Sequence, residues 1–211
     1  MSEQIFDDLN NWFDIKDMPK GKRKVLKTAI ELFASKGFNG TSTAEIASVS
    51  GMSQATVFKY FKTKRELLES IIEPAIEHLI PNYANNFIDD QLPNDVTLRD
   101  FINFIVRNRL EFVYANKEII SIFINEIMIN DELLSEIKLR LAPMFEKFKS
   151  KVIIIFDHFH VTATFDEFIR LVAGQILFEF LKVTKLEADS DTYNLTKASD
   201  SISETVFQAV K

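Results

Sequence analysis

Apolar residues recur at helical spacing along nearly the whole chain. Within 22–36, Leu26, Ala29, Ile30, Phe33 and Ala34 fall on one stripe, and Gly37 follows as a C-terminal stop. Ser42-Thr43-Ala44-Glu45 has the form of a capping box, with the Ser42 hydroxyl accepting from the Glu45 amide and the Glu45 carboxylate reaching back. It opens a short helix over 43–50 that points Ile46, Ala47 and Val49 inward. Gly51-Met52-Ser53 makes a three-residue turn, and Ser53 caps a second short helix over 54–60. Lys64 then begins a longer helix through Leu67, Leu68, Ile71 and Ile72. Further amphipathic stretches run over 97–115, 118–129, 133–157, 164–186 and 193–209. Pro74, Pro81 and Pro143 are expected to kink or end the helices that hold them. Strand-like alternation is scarce, and the apolar run Val152–Phe156 reads as a buried helix turn between helical flanks. The pattern predicts an all-α fold.

Composition adds exclusions. The 211 residues are 46% hydrophobic and 27% charged, a soluble balance that suits one or two small domains. There is no cysteine, which removes disulfides, thiolate metal sites and cysteine nucleophiles. No stretch reaches about 18 uninterrupted apolar residues, and the start lacks the basic-then-apolar order of a signal peptide, so a cytoplasmic protein without a membrane span is expected. Four of the five glycines lie in 20–65, and no phosphate-cradling glycine loop or G-x-S-x-G elbow occurs. Asp157-His158-Phe159-His160 invites a metal reading, but residues two apart do not share a helix face. The carboxylate pairs Asp89-Asp90 and Asp131-Glu132 read as solvated charge near helix ends. The chain is therefore not expected to be an enzyme, and no metal or cofactor is implied.

Charge changes the picture most. The formal net charge is −6, yet residues 20–65 hold ten basic and two acidic residues, net +8. Residues 66–211 carry net −10 and residues 1–19 net −4. A basic block beside an acidic body suggests one element that faces a polyanion and one that does not. Within that block, short helix, glycine turn and short helix make a helix-turn-helix. The second helix is small and polar at its start. Gln54 suits the N6/N7 edge of adenine, and the methyls of Ala55 and Thr56 suit a thymine methyl. Lys59, Tyr60 and Lys64 are phosphate-contact types, and the first turn of the Lys64 helix offers free amides. Val57 and Phe61, with Ile46 and Ala47, form the small core that holds the two helices at a fixed angle.

Ala29-x-x-Leu32-Phe33-x-x-Lys36-Gly37-Phe38, Thr41–Ala47, Gly51-Met52-Ser53 and Val57–Leu68 together resemble the N-terminal domain of TetR-family transcriptional regulators. The resemblance covers about 20–72, and Tyr60-Phe61 followed by Lys64 and Leu67-Leu68 is its strongest part. It implies an all-helical homodimer of about nine helices per subunit, divided into a helix-turn-helix DNA-binding domain over 20–66 and an effector-binding and dimerisation domain over 67–211. It implies a repressor that binds a palindromic double-stranded DNA operator and is released by a small-molecule effector. By position, Thr43, Ser53, Gln54, Ala55, Thr56, Lys59, Tyr60 and Lys64 become the DNA-contact candidates, and 164–186 with 193–209 the dimer interface. The helix from Lys64 becomes the link between head and body. The stretch 1–19 departs from the family as an N-terminal extension, with Ile5, Phe6, Leu9, Trp12 and Phe13 at helical period as an added helix.

The chain has 20 Phe, which permits an aromatic-lined pocket for a hydrophobic effector. Phe104, Asn108, Phe123, Glu126, Phe148, Gln175 and Phe178 are the ligand candidates. Glu126 and Gln175 attract attention because apolar residues flank them on both sides. For any single Phe, ordinary helical core is the simpler role. The competing functional class is a helical small-molecule carrier or enzyme with an incidental basic block; a third is an interaction scaffold built on the N-terminal stretch.

Overall fold

The computed structural model describes Phe13 and residues 18–93, 96–186 and 193–211. Helices account for the ordered elements, with no strand among the described residues. They are α1 Lys20–Gly40, α2 Thr43–Ser50, α3 Gln54–Tyr60, α4 beginning Lys64–Pro74, α5 Leu98–Ala115, α6 Lys117–Ile127, α7 Asp131–His158, α8 Phe165–Leu181 and α9 Leu195–Val210. The all-α class is as the periodicity predicts. Of the N-terminal stripe, Ile5, Phe6, Leu9 and Trp12 lie outside the described residues, while Phe13 is buried.

The chain forms two compact units. One holds the described residues up to Asn82 together with Asn116–Leu141, and the other holds Tyr83–Ala115 with Ala142–Lys211. In the first, α1 packs on α2, α3, α4 and α6. Its buried face is the predicted stripe of Leu26, Ala29, Ile30 and Phe33, joined by Val25, and the neighbouring helices bury Ile46, Ala47, Val57, Phe61, Leu67, Leu68 and Ile71. Val49 departs from expectation and is exposed: α2 has only two turns, and Ile46, Ala47 and Ser50 already fill its inner face. In the second unit, α5 packs on α8 and α9. Phe101, Ile102, Ile105 and Val106 of α5 meet Phe168, Val172 and Ile176 of α8 and Ile202 and Val206 of α9.

Local rules explain the head. Gly37 sits at φ 74° inside α1 and Gly51 at φ 65° after α2, left-handed geometry that glycine adopts without the Cβ penalty. Ser42, Ser53 and Thr63 each cap a helix, accepting from the Glu45, Thr56 and Glu66 amides at 3.0–3.1 Å. The box at Ser42 is only half made, because the Glu45 carboxylate pairs with Lys36.

The prolines behave differently from a simple stop. Past Pro74, helical backbone continues as a π-helical turn Ala75–Leu79, an α segment Ile80–Asn86 that contains Pro81, and a second π turn Phe87–Gln91. A widened turn absorbs the carbonyl and amide that proline leaves unmatched. Pro143 likewise lies inside the continuous α7.

Candidate nucleic-acid interface

Helix α1 enters at Pro19 and carries Lys20, Lys22, Arg23 and Lys24 in its first turns, with no carboxylate there. This opposes the helix dipole, which favours anions at an N-terminus. Such a local conflict marks a place shaped for something other than stability. Lys22 holds its ammonium 5.1 Å from the centre of the Phe61 ring, and Arg23 donates to the Met18 carbonyl at 3.0 Å.

Helix α3 buries Val57 and leaves Gln54, Ala55, Phe58 and Lys59 exposed. Of the DNA-contact candidates, Ser53, Gln54, Ala55 and Lys59 are exposed, and Thr43, Thr56, Tyr60 and Lys64 are half-buried. Ser53 and Thr56 spend their hydroxyls on one another at 2.8 Å and on the α3 cap. Tyr60 lies over Gly21, where an added Cβ would stand 2.9 Å from its hydroxyl oxygen. Lys64 differs from the expected phosphate contact. Its ammonium donates to the Phe38 and Thr41 carbonyls, at 2.7 and 2.9 Å, and sits 4.2 Å from the centre of the Phe38 ring. The Lys64 backbone amide stands at the first position of α4, where helix amides lack intrahelical partners.

The seven ligand candidates fall in both units. In the second, Phe104 stacks on Phe87 with ring centres 6.1 Å apart, and Phe148 meets the same ring at 5.9 Å. Asn108 donates to Gln91 at 2.9 Å and accepts from Arg109, whose guanidinium lies 3.8 Å from the Phe87 ring centre. Gln175 is half-buried, with its amide nitrogen and the Glu179 Oε2 one turn later both buried without a partner. Burial, then the charge and hydrogen bond of Glu179, hold the Tyr193 phenol well above its ordinary value. Phe178 lies apart on the solvent face of α8, 58% exposed beside Leu177 and Leu181. Phe123 and Glu126 belong to α6 in the first unit, where Arg65 meets the buried Glu126 carboxylate. Sequence reasoning missed Phe87, Arg109 and Glu179 here, because no local spacing singles them out.

The head geometry agrees with a family profile described as bacterial regulatory proteins, tetR family, which matches residues 25–71. Residues 25–71 carry the sequence pattern of that family. Among curated relatives of this chain is the HTH-type transcriptional regulator LuxR of Vibrio harveyi, 31% identical over 94 residues, which cover 44% of the chain and 43% of LuxR. The biofilm operon icaADBC HTH-type negative transcriptional regulator IcaR of Staphylococcus epidermidis is 23% identical over 151 residues, 72% of the chain and 77% of IcaR. The chain spans about half the length of several curated relatives it matches. A solved structure of the transcriptional regulator FadR from Bacillus subtilis in complex with stearoyl-CoA shares the fold. Its TM-score is 0.59 at 16% identity, over 89% of this chain and 98% of FadR. Among the described residues no helix is long and apolar enough to cross a membrane, and no group of three or more His, Asp or Glu could hold a metal ion.

Proposed function

We propose that this chain is a DNA-binding transcriptional repressor that grips a palindromic operator as a homodimer and lets go when a hydrophobic small molecule binds. The observation that carries the reading is the cationic start of α1 beside the exposed Gln54, Ala55 and Lys59 face of a serine-capped α3. Cations where the helix dipole disfavours them are stabilised by phosphates, and the small polar face of α3 fits a major groove. Residues 20–66 bind DNA in this reading, and 67–211 hold effector and partner. Thr43, Gln54, Ala55, Lys59 and Tyr60 meet the duplex by side chain, Lys64 by its amide, while Ser53 and Thr56 hold the shape of α3.

The partner surface is the exposed stripe of α8. Ala173, Gly174, Leu177, Phe178 and Leu181 repeat at helical spacing and face solvent, which is the expected state of a helix face reserved for a second copy. Helix α9 completes it. For the effector, the cluster of Phe87, Phe104 and Phe148 with Asn108 and Arg109 offers aromatic walls and a polar end. The stearoyl-CoA bound by the FadR relative supports a hydrophobic ligand, and the negative regulation in the name of IcaR supports repression.

The experiment is selection of binding sites from random duplexes by the full chain, followed by affinity measured against salt. The reading expects a palindrome and a steep loss of affinity as salt rises. A hydrophobic effector found by thermal shift then lowers operator affinity. Binding without salt dependence, or no selected sequence, sinks it.

A further inference from the structure

Asn39-Gly40 is the one Asn-Gly pair in the chain. Such a pair ordinarily forms a type I′ turn, whose two central residues both take positive φ. That reason fails here. Among the described residues positive φ occurs only at Gly37, Gly51 and His160, and a Cβ built on Gly40 would touch the Lys36 Cβ at 3.6 Å, an ordinary contact. The fold therefore does not require glycine at 40. Gly37 breaks the helical geometry of α1, and the turn beyond it is closed by the Thr41 amide, which donates to the Phe38 carbonyl at 3.3 Å. Asn39 is exposed in that turn, and its side-chain amide makes no hydrogen bond among the described residues. The residues on either side of the pair are tied down. Lys64 donates to the Phe38 and Thr41 carbonyls at 2.7 and 2.9 Å, and the Thr41 hydroxyl donates to the Gly37 carbonyl at 2.9 Å.

We propose that Asn39 is a self-modification site, whose conversion to aspartate and isoaspartate weakens the grip of the head on DNA. The Gly40 backbone nitrogen attacks the carbonyl carbon of the Asn39 side chain and forms a C–N bond. The side-chain nitrogen leaves as ammonia and carries off the proton of the Gly40 amide, so a cyclic imide remains. Water then adds to one of the two imide carbonyls and breaks its C–N bond. Opening on one side gives aspartate, and opening on the other gives isoaspartate, with no oxidant and no enzyme required. Glycine suits the attack because no Cβ screens its nitrogen. Either product sets a carboxylate in a segment of net +8, where it opposes the approach of phosphates. Isoaspartate also lengthens the backbone by one methylene between the two carbonyls that Lys64 holds, so the ammonium cannot keep both at their present spacing. The loss of DNA affinity rests on the DNA-binding reading above; the chemistry does not.

The test ages the full chain in warm, mildly alkaline buffer, which favours the nucleophilic form of the Gly40 nitrogen, beside a sample kept mildly acidic. Peptide mass spectrometry locates each conversion of amide to acid, and an isoaspartyl methyltransferase labels the isoaspartate. Asn39 is expected to convert ahead of every other asparagine. The converted fraction is expected to bind the duplex selected from random DNA about tenfold more weakly, the scale of one charge-assisted contact. Gly40→Ala and Asn39→Gln, aged in the same way, should keep both their mass and the affinity they had when fresh. Asn39→Asp should show the charge part of the loss without ageing. An Asn39 that stays intact while other asparagines convert overturns the proposal. So does full conversion at unchanged affinity, or an equal loss in aged Gly40→Ala, which would place the damage elsewhere. Fresh wild type that selects no sequence would instead strike the DNA-binding reading and leave the mass result standing.

Discussion

The Arg65 guanidinium donates to the Glu126 carboxylate at 2.8 Å, across 61 residues of chain, and it is the hydrogen-bond partner of a side chain only 1% exposed. The other oxygen of Glu126 is buried without a hydrogen-bond partner. Arg65 also holds Glu69 at 3.0 Å and keeps 40% of its side chain in water. The two ends of the pair are thus unequal, and so are the consequences of cutting it. Arg65→Ala strands a buried carboxylate, whereas Glu126→Gln leaves an arginine with water and Glu69. We expect Arg65→Ala to cost about 2–3 kcal/mol, below the usual range for a buried pair because of Arg65's exposure, and Glu126→Gln about 1 kcal/mol or less. Urea unfolding of both variants checks this. Equal losses would mean that the carboxylate is better solvated than its burial implies.

That pair also marks the limit of what the sequence tells. Caps and turns are local, so Ser53, Thr63 and Gly51 announce α3, α4 and the turn between α2 and α3 from a few residues each. The basic block and the helix-turn-helix are legible for the same reason. Long-range destinations are not. The ammonium of Lys64 goes to carbonyls 26 and 23 residues back, and Glu126 finds Arg65 across 61 residues of chain. The helix beyond Pro74 continues because π turns take up the missing bond, an option that proline statistics hide.

Lys64 and Lys59 are expected to fail in different ways. Lys64→Met removes two charge-assisted hydrogen bonds that tie α4 to the exit of α1 and costs about 1.5–3 kcal/mol. Its DNA affinity falls while the slope of log K against log salt stays put. Lys59→Ala leaves stability alone and lowers that slope by about 1 per subunit. Salt titration and urea unfolding of both proteins separate the roles. A reduced slope without lost stability in Lys64→Met would return that ammonium to the phosphates.

Gly21 is held to glycine by Tyr60, not by its own backbone. A Cβ there would stand 2.9 Å from the phenol oxygen and 3.3 Å from a ring carbon. The ring is the free end of a flexible side chain, so it swings aside at little cost, and alanine gains up to about 1 kcal/mol in helix propensity. Gly21→Ala is therefore expected to be as stable as wild type yet weaker on the operator, with Tyr60→Phe keeping the ring and losing only the hydroxyl contact. Calorimetry with gel-shift titration measures both. Full operator affinity in Gly21→Ala would remove Tyr60 from the interface.

Glu73 is an electrostatic liability. Partial burial first, then the charges of Glu69, Glu77 and Glu136, hold its carboxyl above the ordinary value. Arg140 is already engaged by Glu77 and Glu136, at 3.2 and 3.0 Å. A folded-state value above the unfolded one means that the native state binds the proton more tightly, so this group destabilises the fold at pH 7 and ceases to do so as pH falls below the carboxylate range. Glu73→Gln is expected to raise the melting temperature at pH 7, with the gain shrinking toward pH 4. A gain independent of pH would trace to packing instead of charge.

The last expectation concerns α8. Nothing lies within 4 Å of a Cβ built on Gly174, so the folded chain by itself does not require glycine there. Leu177 and Phe178 on the same face are 46% and 58% exposed. If that face meets its copy in a partner subunit, glycine serves the close approach of two helices, and a large side chain harms assembly without harming the subunit. Gly174→Leu should keep or raise the helical content and urea midpoint of the separated chain, measured at high dilution, because leucine is the better helix former. It should weaken dimerisation, and Phe178→Glu should weaken it by about 30-fold or more, the cost of losing a buried aromatic anchor. Sedimentation over a concentration series reads the dimer constant directly. Wild-type dimerisation in both variants would move the interface off this stripe and leave its exposed apolar residues to another partner.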